Sequence, residues 1–468
     1  MAALTLSFGA NAQTNTPEQK LPRPNVLFIV VDDLGWSDVG YNGSTMVATP
    51  NIDRLANMGV TFTDGYVTAP ISGPSRNGMV SGMYSQRYGM QINADLKHAH
   101  VPENHKTMPE TLHDAGYRTA LVGKWHVCRE PEAIFDEVYQ RIDISSNYYP
   151  DSLGNYDGPR LPILATLEPK DENEYMTDRL TNYAIEFMNK QTSKQPFFLY
   201  LGYNAVHNPW QAQKKYYDKL NYIQDEHMRV HAAILACADE NIGILLNYLE
   251  NRGIMDNTVI AFVSDNGPAK GGPEMRTWKD WDSSREYIFG QMKTLRGHKV
   301  DLFEGGIRTP MALVYKPLFR EGKVFTDMIS SMDFYPTICE LAGADIAEDT
   351  HLDGVSLVRH LCEETKQQPH DVLYWCRNEY GAARMGVWKL YKDGDKVQLF
   401  NLREDIGETT DMSAQYPHIK ERMLKAWPMI VLMQPASAAP TRSVGEKDSP
   451  FPLLSTGASV ESLAPEGS

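Results

Sequence analysis

The sequence predicts an α/β fold: a large mixed sheet flanked by helices on both faces, followed by a smaller C-terminal antiparallel sheet with one helix. Nearly continuous apolar runs, typical of strands buried on both faces, alternate with amphipathic helical patterns up to about residue 350. Beyond that point the apolar segments are shorter and alternate with polar residues, which is typical of an antiparallel sheet with one exposed face.

The apolar runs give the elements in order. The predicted strands of the large sheet are 25–31, 118–122, 196–203, 258–263 and 310–315. Helical patterns between them include 50–58, 175–189 and 228–249. The smaller sheet is predicted from 372–376, 386–391 and 396–401, and its helix from 417–432. Because ligands of open α/β sheets bind beyond the carboxyl ends of the strands, the polar residues that follow the strands are the candidate site residues.

The length of 468 residues suggests two unequal domains. We expect a leader and linker over 1–23, an N-terminal α/β domain over 24–350, a C-terminal α+β subdomain over 351–434 and an extended tail over 435–468. Residues 2–12 are mostly small and apolar and end in Ala-Asn-Ala, which favours a cleaved signal peptide and hence a secreted or periplasmic protein. A disordered leader without such a role is the alternative. No later apolar run is long enough to predict membrane insertion.

The formal net charge of −15 argues against a nucleic-acid-binding surface, which needs a basic face, and against docking on anionic lipid. An anionic substrate would require the useful cations to be concentrated in one pocket; alternatively, the charge serves only solubility. The five cysteines leave at least one free thiol. Cys237 is expected in the core, and a Cys362–Cys376 disulfide is compatible with an exported protein.

Two strand ends carry acidic residues suited to a metal. Asp32 and Asp33 end the first strand, and Asp265 and Asn266 end the fourth. Adjacent carboxylates repel each other unless a cation lies between them. Three carboxylates and one amide oxygen form a hard ligand set that suits calcium or magnesium better than zinc. Each pair alone is weak evidence, since Asp-Asn-Gly is often only a turn.

Residues 72–82 contain a second candidate feature, because Ser72 precedes a helix whose first turn holds Pro74 and Arg76. The structural interpretation is an ordinary N-cap serine. The functional interpretation is a reactive residue at a helix N-terminus, which favours anions.

Three further loops supply Lys or His to the same edge of the predicted sheet. Lys124 and His126 follow the second strand, and side-chain alternation would place both on one side. His207 follows the third strand, and Lys299 lies shortly before a Glu-Gly-Gly sequence at 304–306. A lone histidine is usually structural, but three such loops around one acidic centre are less easily explained that way.

With these motifs the sequence resembles the type I, formylglycine-dependent sulfatases of the alkaline-phosphatase superfamily, over roughly residues 24–415. Their signature is Cys or Ser, any residue, Pro, Ser, Arg and a tail ending in Thr-Gly or Ser-Gly, which residues 72–82 match with serine in first position. The strand ends at 25–33, 123–126 and 264–267, and Lys299, match the family in order, as do 304–306, 333–337 and 399–409.

The resemblance implies that Ser72 is oxidised to Cα-formylglycine (3-oxoalanine) by a serine-type sulfatase-maturing enzyme of bacteria. It implies one calcium ion held by Asp32, Asp33, Asp265 and Asn266. A hydrated aldehyde has two hydroxyls, one to attack sulfur and one to expel sulfate afterwards, which splits the reaction into two easier steps. Without a matching maturing enzyme, Ser72 would stay serine and turn substrate over poorly.

The family also implies roles for the basic residues. Arg76 and Lys124 steady the modified residue, and His126 is the base of the sulfate-releasing step. His207 is the acid that protonates the leaving alcohol, and Lys299 grips the sulfate. Substrate contacts are expected from Lys299, His207, Lys124 and Trp210. Further candidates for lining a sugar pocket are His98, His100, His105 and the segment 276–285, in which Trp278 and Trp281 could stack on a sugar or belong to the core.

The expected substrate is a sulfated glycan, with galactose or N-acetylgalactosamine sulfates favoured over uronic-acid sulfates. One alternative is a phosphatase or phosphodiesterase of the same superfamily that uses unmodified Ser72; it would need a second set of Asp and His ligands, which the sequence does not obviously offer. A second alternative is a non-catalytic protein that binds sulfated glycans on the same fold.

Overall fold

The computed structural model of the protein describes residues 22–157, 164–271, 284–291 and 293–425. The strands are β1 Asn25–Val31, β2 Val60–Phe62, β3 Gly65–Tyr66, β4 Arg118–Lys124, β5 Glu137–Ile142, β6 Leu164–Leu167, β7 Phe197–Tyr203, β8 Gln211–Gln213, β9 Thr258–Ser264, β10 Ala269–Lys270, β11 Ile288–Phe289, β12 Met311–Val314, β13 Lys323–Phe325, β14 Ile329–Ser330, β15 Leu373–Arg377, β16 Tyr380–Met385, β17 Trp388–Asp393 and β18 Lys396–Asn401. The α-helices are α1 Pro50–Asn57, α2 Ser72–Ser81, α3 Met108–Asp114, α4 Met176–Lys190, α5 Lys214–Lys219, α6 Glu226–Asn251, α7 Glu304–Ile307, α8 Phe334–Ala342, α9 Val358–Leu361 and α10 Pro417–Lys425.

The large sheet has eight strands in the order β13-β2-β12-β9-β1-β7-β4-β5. The five strands from β9 to β5 run parallel, whereas β12 pairs antiparallel with both β9 and β2. The predicted α/β class and mixed sheet are therefore confirmed. All five predicted strands belong to this sheet, with ends within two residues of the prediction.

Hydrophobic cores cover both faces of the sheet, as strands buried on two sides require. Along β1, Leu27 and Ile29 face a core that contains residues of α1, α4 and α6, whereas Val26 and Phe28 face one that contains residues of α2, α3 and α8. The apolar run of β1 is continuous because alternate residues fill different cores.

The register of the parallel strands brings their carboxyl ends to one level. Val31 of β1 pairs with Ser264 of β9 and with Tyr203 of β7, and Gly123 of β4 pairs with Gly202. The residues that follow these strands therefore emerge at one edge of the sheet, which is where the candidate side chains were expected.

The second sheet contains β15, β16, β17 and β18, all antiparallel. Its second strand was not predicted, because its Gly-Ala-Ala centre carries no apolar alternation, although that centre is buried. This sheet shares a hydrophobic core with one face of the large sheet, and Trp375 donates a hydrogen bond to the carbonyl of Val67 at 2.7 Å.

The expectation that no apolar segment is long enough to cross a membrane is wrong for helix α6, which is long and apolar enough by length and composition. However, 72% of its most apolar stretch is buried within the fold, as in a core helix. The Cys362–Cys376 disulfide that the sequence left open is not formed, and all five cysteines are free thiols. Cys237 is fully buried on α6, as expected.

Candidate active site

The four predicted metal ligands lie together at the carboxyl ends of β1 and β9, fully or almost fully buried. Asn266 donates from Nδ2 to Oδ1 of Asp33 at 2.7 Å. Oδ1 of Asp265 accepts the backbone N–H of Asp33 at 3.1 Å. Because β1 and β9 are neighbouring strands, the two acidic pairs meet there. Their side-chain oxygens form one cluster, called the acidic group below.

Ser72 lies against this group. Its Oγ is 3.1 Å from Oδ1 of Asn266 and 3.3 Å from Oδ1 of Asp32. The N-cap interpretation of Ser72 is wrong: the N-cap residue is Ile71, with an extended backbone, and Ser72 is the first helical residue. The hydroxyl is therefore directed to the acidic group and does not cap its own helix.

Several buried polar atoms around Ser72 have no hydrogen-bond partner in the described part of the chain. They are Oδ2 of Asp33, Nη2 of Arg76 and both ring nitrogens of His126. Buried polar atoms are normally satisfied, so such a cluster indicates a site for a missing charged group. Oδ2 of Asp33 lacks a partner and lies in a cluster of carboxylate and amide oxygens, which are the ligands that a hard divalent cation such as calcium prefers.

Cationic side chains surround the acidic group. Lys124 pairs with Asp32, Lys299 Nζ lies 2.6 Å from Oδ1 of Asp33, and Arg76 Nε lies 2.8 Å from Oδ2 of Asp265. Three carboxylates thus meet three cations, so a bound divalent cation would leave the site net positive and attractive to an anionic ester.

These pairings change the pKa values of the site residues. Burial alone would raise the pKa of Asp33, but Lys299 and His207 outweigh it and lower that pKa. Burial lowers the pKa of Lys124 against the opposing effect of Asp32. For Lys299 the carboxylates of Asp33 and Asp32 outweigh burial, so its pKa is raised and it stays charged.

The two candidate histidines approach the site from neighbouring strands. Nε2 of His207 is 3.8 Å from Oδ2 of Asp33, and a Cβ built on Gly73 would lie 3.4 Å from Nε2 of His126. Burial, followed by nearby lysine charges, lowers the pKa of His126 to about 2 and that of His207 to about 3. Both imidazoles are therefore neutral near pH 7 in the free protein.

Lys124 and His126 reach the site for a different reason from the predicted alternation. Gly123 has a φ of 86° at a β-bulge between Val122 and Lys124, and His126 has a φ of 53°. A bulge redirects the side chain that follows it, and the left-handed residue turns the chain just after the end of β4. Asp33 also has a positive φ, of 61°, so two candidate site residues adopt the left-handed conformation that is uncommon outside glycine.

The structure treats the aromatic and histidine candidates for sugar contacts differently. The prediction that Trp210 contacts the substrate is wrong, because its side chain is fully buried and stacks on Phe289 in the core. His105 is buried and bonds the carbonyl of Ser81 at 2.7 Å, whereas His98 and His100 are exposed. Trp278 and Trp281 lie outside the described residues.

Two asparagines near residue 72 were not singled out from the sequence. Oδ1 of Asn93 accepts the N–H of Gly73 at 2.9 Å, and Asn77, fully buried, contacts the segment that carries His126. Asn77 lies inside the 72–82 signature, which was the one signal available for it; Asn93 lies outside every motif.

The chain matches two family models, described as Sulfatase over residues 24–344 and as N-sulphoglucosamine sulphohydrolase, C-terminal, over residues 298–427. It is 30% identical to arylsulfatase J of Mus musculus, covering 86% of this chain and 75% of that protein. It is 28% identical to N-acetylgalactosamine-6-sulfatase of Homo sapiens, covering 79% and 71%.

Solved structures show the same architecture. The crystal structure of Ps i-CgsB in complex with k-i-k-neocarrahexaose superimposes with a TM-score of 0.75 and 31% identity, covering 88% of this chain and 94% of that one. A phosphonate monoester hydrolase of Agrobacterium radiobacter has a TM-score of 0.65 at 18% identity, covering 88% and 95%. At that identity the second likeness concerns the fold alone.

Proposed function

Because this chain belongs to the sulfatase family and is a sulfuric ester hydrolase, we propose that it removes O-sulfate from a sulfated carbohydrate, with galactose or N-acetylgalactosamine as the favoured sugar. The single observation that carries the proposal is the contact of Ser72 with Asp32 and Asn266 inside a ring of Lys and His side chains. The relatives that act on N-acetylgalactosamine sulfate, or that were crystallised with neocarrahexaose, support this sugar class.

We propose that Asp32, Asp33, Asp265 and Asn266 hold one calcium ion and that Ser72 is converted to formylglycine by a serine-type maturing enzyme. Calcium would supply Lewis-acid polarisation of the sulfate oxygens. Formylglycine would supply a hydrated aldehyde, whose two hydroxyls serve the two halves of the reaction. A secreted or periplasmic location would bring such an enzyme to its glycan.

We assign sulfate binding, positioning of residue 72 and proton transfer to five side chains of the protein itself. We propose that Lys124 and Lys299 hold the sulfate, since their pairs with Asp32 and Asp33 keep both cations beside residue 72. Arg76, held by Asp265, steadies the helix that carries residue 72. Neutral His126, next to Gly73, can accept a proton from a hydroxyl of residue 72. His207 follows β7, the neighbour of β1, and its Nε2 lies near Asp33, so we propose that it protonates the leaving oxygen.

The test is an assay of the full chain, co-expressed with a serine-type maturing enzyme, on a panel of defined sulfated monosaccharides and disaccharides. We expect sulfate release, with the highest rate on a galactose or N-acetylgalactosamine sulfate, and one calcium per chain by elemental analysis. Removing calcium with a chelator should abolish turnover, and adding it back should restore turnover. Two zinc ions per chain with phosphate release would instead support the phosphatase alternative.

Replacing His207 with alanine is expected to slow hydrolysis of an alkyl sulfate by on the order of 10²–10⁴-fold and of a nitrophenyl sulfate much less. An alkoxide is a poor leaving group and needs the proton, whereas a nitrophenolate leaves without it. Since the pKa of His207 is lowered to about 3, its protonated fraction grows as the pH falls. The wild-type rate on the alkyl ester should therefore rise from about pH 8 to about pH 5.

The matched control is His105→Ala, which removes a buried histidine that bonds a backbone carbonyl. It should leave the ratio of alkyl to aryl rates unchanged. Equal losses on both esters in His207→Ala would remove this histidine from the acid role.

A further inference from the structure

We infer that Asn77 is a positioning residue that holds His126 against the helix carrying residue 72. The inference rests on the proposed function in assigning His126 to the sulfate-releasing step. Asn77 lies on α2, one turn after Gly73, and is fully buried. None of the roles proposed above involves this amide.

The side chain of Asn77 makes contacts in two directions. Its Nδ2 donates to the carbonyl of Gly73 at 2.8 Å and approaches the carbonyl of His126 at 3.4 Å. Its Oδ1 accepts the backbone N–H of Cys128 at 3.1 Å and the thiol of Cys128 at 2.9 Å. One buried amide thus joins the peptide after the reactive residue to the loop after β4.

The ring of His126 has no hydrogen bond of its own in the described part of the chain, since both of its nitrogens are unpaired. Its location therefore depends on its backbone, which has a φ of 53°. A residue other than glycine adopts this left-handed conformation uncommonly, and neighbouring contacts help to maintain it. The bonds of Asn77 to the carbonyl of His126 and to the N–H of Cys128 are such contacts, at the left-handed residue and two residues after it.

Two further observations agree with this role. Burial raises the pKa of the Cys128 thiol, so it remains protonated and able to donate to Asn77. Asn93 Oδ1 accepts the N–H of Gly73 at 2.9 Å. Gly73 is therefore hydrogen-bonded at both its N–H and its carbonyl, which gives His126 a fixed neighbour next to residue 72.

The test compares Asn77→Ala with Asn241→Ala in the full chain, using a nitrophenyl sulfate. Asn241 is a matched control: it is a buried helical amide whose hydrogen bonds within the described residues go to Asp178, at 2.7 Å, and to Cys237, and not to a candidate site residue. The formylglycine content of each protein is measured by mass spectrometry, and rates are expressed per modified chain. Release of nitrophenol and release of sulfate are followed separately.

For Asn77→Ala we expect sulfate release to slow by roughly 10–100-fold, while the first equivalent of nitrophenol is released at nearly the wild-type rate. Because only the second step is slowed, kcat and KM should fall together and kcat/KM should change little. Cys128→Ala, which keeps the backbone bond to Asn77, should slow the same step only a few-fold. This second variant preserves the test if Asn77→Ala folds poorly.

A readout independent of turnover is amide hydrogen exchange at Cys128. Exchange should become at least about 10-fold faster in Asn77→Ala than in Asn241→Ala, because the backbone N–H of Cys128 loses Oδ1 of Asn77 as its acceptor. Equal sulfate-release rates and equal Cys128 exchange in the two variants would overturn the inference. A matured wild-type protein that releases no sulfate would overturn the proposed function, and the exchange measurement would still report whether Asn77 holds the loop.

Discussion

Sulfate release by the matured protein should fall by on the order of 10⁴-fold or more when Ser72 is replaced with alanine. The substitution removes the hydroxyl from which the aldehyde of formylglycine is made, and no other hydroxyl of the described residues hydrogen-bonds to a side-chain oxygen of Asp32, Asp33, Asp265 or Asn266. Among the described residues, Ser72 Oγ bonds to side-chain oxygens of Asp32 and Asn266. The fold and the binding of a sulfated sugar should therefore persist, so the loss should appear in kcat and much less in KM.

The measurement is kcat and KM on the best substrate of the panel, with the mass of the peptide containing residue 72 determined in parallel. Ser331→Ala is the matched control, because Ser331 is buried and its Oγ has no hydrogen-bond partner among the described residues. It should retain wild-type activity. Ser72→Ala with more than about a tenth of the wild-type rate would refute a nucleophile at position 72.

Wild-type protein made without a maturing enzyme separates the two superfamily chemistries. If residue 72 keeps the mass of serine, the sulfatase proposal expects substrate binding with little turnover. The phosphatase alternative expects full activity on a phosphate ester from that same unmodified serine. Ser72→Cys, matured by an oxygen-dependent system, should recover sulfatase activity, which a serine-dependent phosphatase would not.

The location of the site could be predicted from the sequence because it depends on which residues lie at, or directly after, the ends of the buried strands. Asp32 and Asp265 each follow a buried strand directly and Lys124 is the last residue of one, and parallel neighbours bring such positions to one edge of a sheet. The register of β1 and β9 makes these positions level, so short-range information was sufficient. The family signature then identified Ser72 among the remaining serines.

What the sequence did not predict depends on contacts between distant segments. The burial of Trp210 results from stacking on Phe289, which lies far along the chain, and an aromatic residue beside a candidate histidine has the same sequence pattern whether it is exposed or buried. The path of the chain through His126 depends on a bulge and a left-handed residue, which no alternation rule anticipates. The partners of Asn77 are likewise set by tertiary packing.

A buried charge cluster that joins the second sheet to helix α7 was also not predictable from the sequence. Lys389 of β17 is fully buried, and its Nζ lies 2.9 Å from Oε1 of Glu304 and 2.8 Å from Oε1 of Glu408. Glu304 begins α7, shortly after Lys299, and its backbone N–H donates to Oε2 of Glu408 at 2.7 Å. A single buried lysine therefore pairs with two buried carboxyl groups next to a segment that supplies a candidate site residue.

Replacing Lys389 with methionine should lower the free energy of unfolding by about 3–5 kcal/mol near pH 7, because it leaves both carboxylates buried without their shared cation. Methionine keeps most of the volume, so the loss reflects charge and not a cavity. Urea unfolding of the full chain measures it. Lys396→Met, at an exposed lysine of the adjacent strand, is the control and should change stability by less than about 0.5 kcal/mol.

The pH dependence of the free energy of unfolding tests whether Glu304 and Glu408 cause the stability loss of Lys389→Met. Burial raises the pKa of Glu304, but Lys389 and Arg308 outweigh it and lower that pKa to about 2; burial raises the pKa of Glu408 to about 7 despite Lys389. In the wild type, Glu304 thus stabilises the fold above its unfolded pKa of 4.5, and this contribution is lost as the pH falls toward 2. Glu408 contributes stability below 4.5 that is lost as the pH rises through about 7.

Without Lys389 both carboxyls should take up protons more readily, because burial is no longer opposed by the lysine charge. The stability deficit of Lys389→Met should therefore shrink between about pH 7 and about pH 5, and adding Glu304→Gln and Glu408→Gln should recover part of it at pH about 7. A deficit that is independent of pH, or no larger than that of Lys396→Met, would show that the cluster does not depend on this charge. It would then have to be held by packing between the two sheets.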